Sequence, residues 1–191
     1  MSVSDPPVSD PDASLPEKIV WEGEFITAKV RGRWEYVGRP RNIRAAVILA
    51  IDDTHPDRQV ILVEQYRVPL GKRCIELPAG LIGDHDEVAG EPDEDAAARE
   101  LEEETGYVAE RIENLGEFFS SPGMVSESFT LFRAHGLSKI SEGGGTDSED
   151  ITVHRVKLTE IRQFIADWRK AGHAVDVRLA ILLAEDFLKE E

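Results

Sequence analysis

One cysteine, two methionines and an aromatic content of 7% are what this chain has little of. A single thiol, Cys74, cannot close an intrachain disulfide, and no Cys/His spacing suits a zinc site, so a disulfide scaffold and a zinc module are both excluded. No apolar run approaches the roughly 20 residues that cross a bilayer. The start, Met1-Ser2-Val3-Ser4-Asp5-Pro6-Pro7, has neither the basic opening nor the apolar stretch of a secretory signal, and a cytoplasmic location is expected. Basic residues are scarce as well: 22 Lys and Arg stand against 38 Asp and Glu, a formal charge of −16. Such a field repels nucleic acid and anionic membranes, so neither is an expected partner. A phosphate-bearing small molecule then needs local cations, from bound metal and a few placed arginines.

What is present fits one α/β domain with appendages: 191 residues, 41% hydrophobic and 31% charged. Residues 1–16 are Ser/Asp/Pro-rich with hardly any large apolar side chain, and a flexible tail is expected there. Residues 17–43 read as an N-terminal β region, with strands over 19–30 and 33–38, and residues 44–191 as the main domain. Within it, 44–51 and 59–65 are apolar, β-branched central strands, followed by strands at 74–77, 114–119, 128–135 and 151–157. Residues 81–90 are polar and Gly-flanked, a surface loop. Pro92, the acidic Asp93-Glu94-Asp95 and the stop at Gly106 bound a helix over 92–105. Thr159 is a candidate cap for a helix with Ile161, Phe164, Ile165 and Trp168 on one face, and Asp176 for a third, final helix.

The 92–105 helix carries the chemistry. Glu100 and Glu104 stand at i and i+4, with Glu103 on the adjoining strip, so three carboxylates crowd one edge. They repel one another by some tenths of a kcal/mol per i,i+4 pair, and a helix that keeps them wants a cation. Hard oxygen donors suit Mg²⁺, with Mn²⁺ a substitute. Taken alone, the same run equally describes a solvated acidic face.

Its surroundings decide between these. Glu91, seven intervening residues, then Arg99, Glu100, Leu101, Glu103, Glu104 and Gly106 resemble the Nudix box, G-x5-E-x7-R-E-U-x-E-E-x-G-U. Two departures stand out: ten residues rather than five separate Gly80 from Glu91, and the last U position is Tyr107. The wider resemblance is to the ADP-ribose pyrophosphatase branch, carried by Trp34-Glu35-Tyr36-Val37-Gly38-Arg39, Val63-Glu64-Gln65-Tyr66-Arg67, Ile75-Glu76-Leu77-Pro78-Ala79-Gly80-Leu81, Ser121-Pro122-Gly123 and Ser148-Glu149-Asp150-Ile151.

That resemblance implies a Nudix-type α/β/α sandwich with a mixed sheet and an N-terminal antiparallel β extension, and a homodimer in which residues 17–43 contact the partner. It implies Mg²⁺-dependent hydrolysis of ADP-ribose to AMP and ribose 5-phosphate. The metal ligands it implies are the Ala79 carbonyl, Glu100, Glu103 and Glu104, with Glu76 a weaker candidate and Arg99 pairing the box carboxylates. Glu103, Glu104 and Glu149 carry the catalytic roles, Glu149 as the base for the attacking water, in a loop that Gly143–Gly145 lets move. Arg67 resembles the clamp on the diphosphate; Phe25 and Trp34 match positions that stack on adenine, and Arg39 one that helps hold the base or terminal ribose. Each has a plainer reading beside it: a surface ion pair for Arg67, an ordinary acidic loop residue for Glu149, cross-strand packing for the two aromatics. Other readings of the whole are a hydrolase of a different nucleoside-diphosphate sugar such as GDP-mannose, and a non-catalytic module that binds ADP-ribose.

Overall fold

The computed structural model describes residues 10–40, 43–54, 56–82, 92–145 and 149–184. Backbone proximity divides the chain into two compact units, Met1–Ile43 with Phe119–Glu127, and Arg44–Phe118 with Ser128–Glu191.

The first unit is a three-stranded antiparallel sheet of β1 (Lys18–Glu22), β2 (Thr27–Arg31) and β3 (Trp34–Gly38), in that order. β3 also receives the returning segment: the Val37 amide donates to the Met124 carbonyl at 2.9 Å and the Ser126 amide to the Val37 carbonyl at 2.9 Å. The stretch expected to be a loose tail is folded over part of its length, with a 3-10 turn at Pro11–Ser14. Asp10 caps that turn by accepting from the Asp12 amide, and both aspartates pair with Arg33. Polar satisfaction rather than apolar burial holds this piece. Residues 1–9 of the expected tail lie outside the described residues.

The second unit contains β4 (Arg44–Asp52), β5 (Gln59–Arg67), β6 (Lys72–Glu76), β7 (Ala79–Ile82), α1 (Asp93–Thr105), β8 (Tyr107–Phe119), β9 (Ser128–Lys139), β10 (Thr152–Lys157), α2 (Ile161–Lys170) and β11 (Ala174–Val175). The sheet runs β11-β6-β5-β4-β9-β8, with β10 on β5 and β7 on β4. It is mixed: β4 pairs parallel with β9 and antiparallel with β5 and β7, while β6 pairs parallel with β11. β4 explains the layering, because both its faces are buried. Ala46, Ile48 and Ala50 face the cluster that holds Ala96, Ala97 and Leu101 of α1. Val47, Leu49 and Ile51 face the cluster that holds Ile161 and Ile165 of α2. Alternation along one strand thus feeds two cores, giving the α/β/α sandwich.

Several boundaries differ from the sequence expectations. Leu81 and Ile82, read as part of a surface loop, extend β7 by pairing with Ala45 and Arg44; positions 83–90 lie outside the described residues. β8 begins at Tyr107 rather than 114, because the outermost position in the sheet tolerates the charged run Glu110–Glu113. Thr159 caps nothing: it sits in a 3-10 turn, Leu158–Glu160, that leads into α2. The expected third helix is a 3-10 helix, Val177–Leu183, and Asp176 does cap it by accepting from the Arg178 amide at 2.7 Å.

Candidate active site

α1 presents its acidic edge beside β7. The Oε2 of Glu104 accepts from the Ala79 amide at 2.9 Å, and Glu104 is only 4% exposed. Burial pushes its carboxyl up to about 8; the Ala79 amide and Arg67 pull the other way, while Glu100 and Glu149 push further up. Glu100 packs over Gly80 so closely that a Cβ there would lie 1.9 Å from the Glu100 carboxyl carbon. Arg99 reaches Glu100 at 3.0 Å and Glu103 at 3.4 Å, the pairing the resemblance implied.

The helix ends on Gly106, at φ 73°, and its last carbonyls are taken up by the glycine loop. The Gly144 amide donates to the Glu104 carbonyl at 2.9 Å and the Gly145 amide to the Glu103 carbonyl at 3.0 Å. Gly143–Gly145 was expected to let the loop move; here it is docked on α1, because unpaired carbonyls at a helix C-terminus need donors. A Cβ on Gly145 would meet a Glu149 carboxylate oxygen at 2.6 Å, so Glu149 is seated against the docked loop, on the glutamate side of the helix.

On the other side stands Arg67, at the end of β5. Its Nε and Nη2 donate to the two oxygens of Glu76 at 2.6 and 2.7 Å, and that pairing, against the cost of burial, holds its guanidinium charged. Glu76 is 2% exposed, and Arg178 from the C-terminal 3-10 helix also reaches it, at 3.3 Å. In the structure Glu76, the weaker candidate metal ligand, pairs with these two arginines. A glutamate inside the apolar Ile75-Glu76-Leu77 strand signals a need for a partner, yet nothing in sequence points to one 102 positions away. Arg178 and the close approach at Gly80 are what sequence reasoning missed, and Asp176 it named only as a cap.

Trp34, Phe25 and Arg39 belong to the first unit. Trp34 lines a cavity of about 330 Å³ there with Tyr36, Arg31 and Val125; Phe25 is exposed, and Arg39 pairs with Glu127. Glu91 lies outside the described residues.

Among the described residues no three carboxylate, thiol or imidazole groups stand close enough together to ligate one ion. The donor set nevertheless fits a divalent cation. Glu104 is buried, its charge is opposed by desolvation and by two like charges, and all three groups are carboxylates.

Residues 41–175 match the NUDIX domain family. The chain belongs to the Nudix family. Among the relatives of this Nudix chain is the ADP-ribose pyrophosphatase of Bacillus subtilis, 34% identical over 63% of this chain and 62% of that protein. Another is the ADP-sugar pyrophosphatase of Mus musculus, 46% identical over 56% of this chain and 54% of the other. The crystal structure of an ADP compounds hydrolase superposes with a TM-score of 0.66 at 26% identity, covering 90% of this chain and 91% of that one. As in the sequence, no helix among the described residues is long and apolar enough to cross a membrane.

Proposed function

We propose that the protein hydrolyses the pyrophosphate bond of ADP-ribose, with Mg²⁺, to AMP and ribose 5-phosphate. The observation that carries this reading is the buried Glu104 carboxylate of α1, held by the Ala79 amide at 2.9 Å, with Glu100 of the same helix packed over the adjoining Gly80. The names of the relatives, which act on ADP-ribose or ADP-sugars, support the choice of substrate.

Glu100, Glu103, Glu104 and the Ala79 carbonyl would hold the metal, with the Ala79 amide and Arg99 fixing the carboxylates. A divalent cation there supplies charge neutralisation for the diphosphate and lowers the pKa of water. Arg67 meets a phosphate with the edge of its guanidinium turned away from Glu76, a shape suited to two oxygens at once. Glu149 takes the proton from a water whose oxygen bonds to one phosphorus while the bridging P–O bond breaks; the bridging oxygen leaves on the other phosphate. Trp34 and Phe25 stack on the base and Arg39 orients the base or terminal ribose, as the resemblance to the ADP-ribose pyrophosphatase branch implies. A homodimer belongs to the same proposal: β1 is exposed along its whole length, with Ile19, Val20 and Trp21 each more than half accessible, an apolar edge of the kind partners cover. So does a cytoplasmic location, which the lone, buried Cys74 suits.

The test is AMP release at saturating Mg²⁺ by the wild type and by Glu104→Gln. Loss of turnover by orders of magnitude in a folded variant is expected, and near-normal turnover overturns the assignment. A panel of ADP-ribose, GDP-mannose, NADH and dinucleoside polyphosphates checks the substrate; preference for GDP-mannose moves the reading to another nucleoside-diphosphate sugar. Tight ADP-ribose binding without turnover makes the protein a binding module instead.

A further inference from the structure

We infer that Arg178 is a positioning residue for substrate binding: it holds Glu76, so that Glu76 in turn fixes the guanidinium of Arg67 that meets the diphosphate. This rests on the reading of Arg67 given above. Four side chains form a line of alternating charge, Asp176, Arg178, Glu76 and Arg67. Arg178 binds Asp176 side-on, Nε to Oδ1 at 2.6 Å and Nη2 to Oδ2 at 2.8 Å, and the same Nη2 reaches Glu76 Oε2 at 3.3 Å. Glu76 repeats the side-on geometry with Arg67, at 2.6 and 2.7 Å. The line is deepest at Glu76, 3% accessible, with Arg178 at 18% and Asp176 at 20% on one side of it and Arg67 opening to 40% on the other.

Its Asp176 end is anchored by backbone. The Asp176 amide donates to the Ile75 carbonyl at 3.0 Å, one residue before Glu76, and β11 pairs Val175 with Ile75 in parallel register. The Arg178 guanidinium also lies over the Phe129 ring, 5.7 Å from its centroid. None of this is needed merely to neutralise Glu76, which Arg67 alone does with two good hydrogen bonds. What a second cation adds is a fixed point. A carboxylate held by one half-exposed arginine moves when a diphosphate pulls that arginine outward; one held from both sides keeps its place and leaves Arg67 a defined edge for phosphate oxygens. Asp176 and Arg178 both fall beyond the 41–175 stretch that the family match covers.

The experiment combines Arg178→Met, Arg67→Met and the double variant, reading KM and kcat for ADP-ribose and the Kd of a non-hydrolysable analogue, with circular dichroism on each. Arg178→Met is expected to raise KM and Kd about tenfold with kcat within about twofold, the pattern of lost binding rather than lost chemistry. In the Arg67→Met background it is expected to add under about twofold, because its effect passes through Arg67. Effects that multiply in the double variant, or a fall in kcat at unchanged Kd, overturn the inference. Should Arg67→Met leave Kd unchanged, the clamp reading itself fails and the inference falls with it, a result separable from the multiplying case. If Arg178→Met does not fold, Asp176→Asn loosens the same anchor; it is expected to raise Kd in the same direction, and an unchanged Kd overturns the proposal.

Discussion

Gly80→Ala isolates the geometry of the glutamate helix from its stability. Gly80 lies in β7 opposite Ala46, and its φ is not positive, so alanine fits the backbone there. The added methyl would sit 1.9 Å from the carboxyl carbon of Glu100 and 2.2 Å from its Oε2. Ordinary carbon contacts are about 3.5–4.0 Å, so the carboxylate must withdraw by roughly 1.5–2 Å. That end of the side chain is flexible, and its retreat costs little folding energy; exchanging Gly for Ala in a strand recovers roughly 0.5–1 kcal/mol. Activity is another matter, because a misplacement of about 1 Å in a catalytic group can cost on the order of 10²-fold. The expected result is a kcat lowered by about 10²-fold or more, a raised Mg²⁺ requirement and an unfolding midpoint in urea no lower than wild type. AMP release titrated with Mg²⁺ and urea denaturation followed by circular dichroism measure both halves. Wild-type kcat at wild-type Mg²⁺ demand would refute the placement of Glu100 in the metal site.

Three further outcomes follow from the packing. Gly106→Ala meets both a positive φ of 73° and a Cβ only 2.2 Å from the Ser141 carbonyl oxygen, so it is expected to cost at least about 2 kcal/mol in urea unfolding, since neither backbone can yield. Leu101→Ala, in α1 and fully buried in the cluster that packs the helix on the sheet, is expected to cost about 2–5 kcal/mol in urea unfolding; a loss under about 1 kcal/mol would refute that packing. Asp176 is partly buried, which alone would raise its pKa, yet the Arg178 pair lowers it below the usual carboxylate value. Its contribution to stability is therefore complete above the unfolded pKa, about 4, and drains away as pH falls through the lower folded value. Urea midpoints between pH 6 and pH 3 should fall less steeply in Asp176→Asn than in wild type; parallel curves would remove Asp176 from the acid response.

The sequence by itself determined the elements whose causes are local. The α1 limits came from Asp93-Glu94-Asp95 at one end and Gly106 at the other; the apolar run 44–51 announced a central strand; and Glu91, Arg99, Glu100, Glu103 and Glu104, in their spacing, resemble the Nudix box. These signals depend on neighbours within a few residues, where propensity, capping and periodicity act. Only the tertiary structure decided which charged groups pair. Glu76 reads in sequence as a possible metal ligand, and folding gives it to Arg67 and Arg178 because the nearest cations across β6 and the C-terminal 3-10 helix relieve its burial first. The glycine loop reads as slack, and folding docks it, because the carbonyls that end α1 need donors that no residue of the helix can provide. Hydrogen bonding and desolvation are settled by distance in space, and a sequence records only distance along the chain.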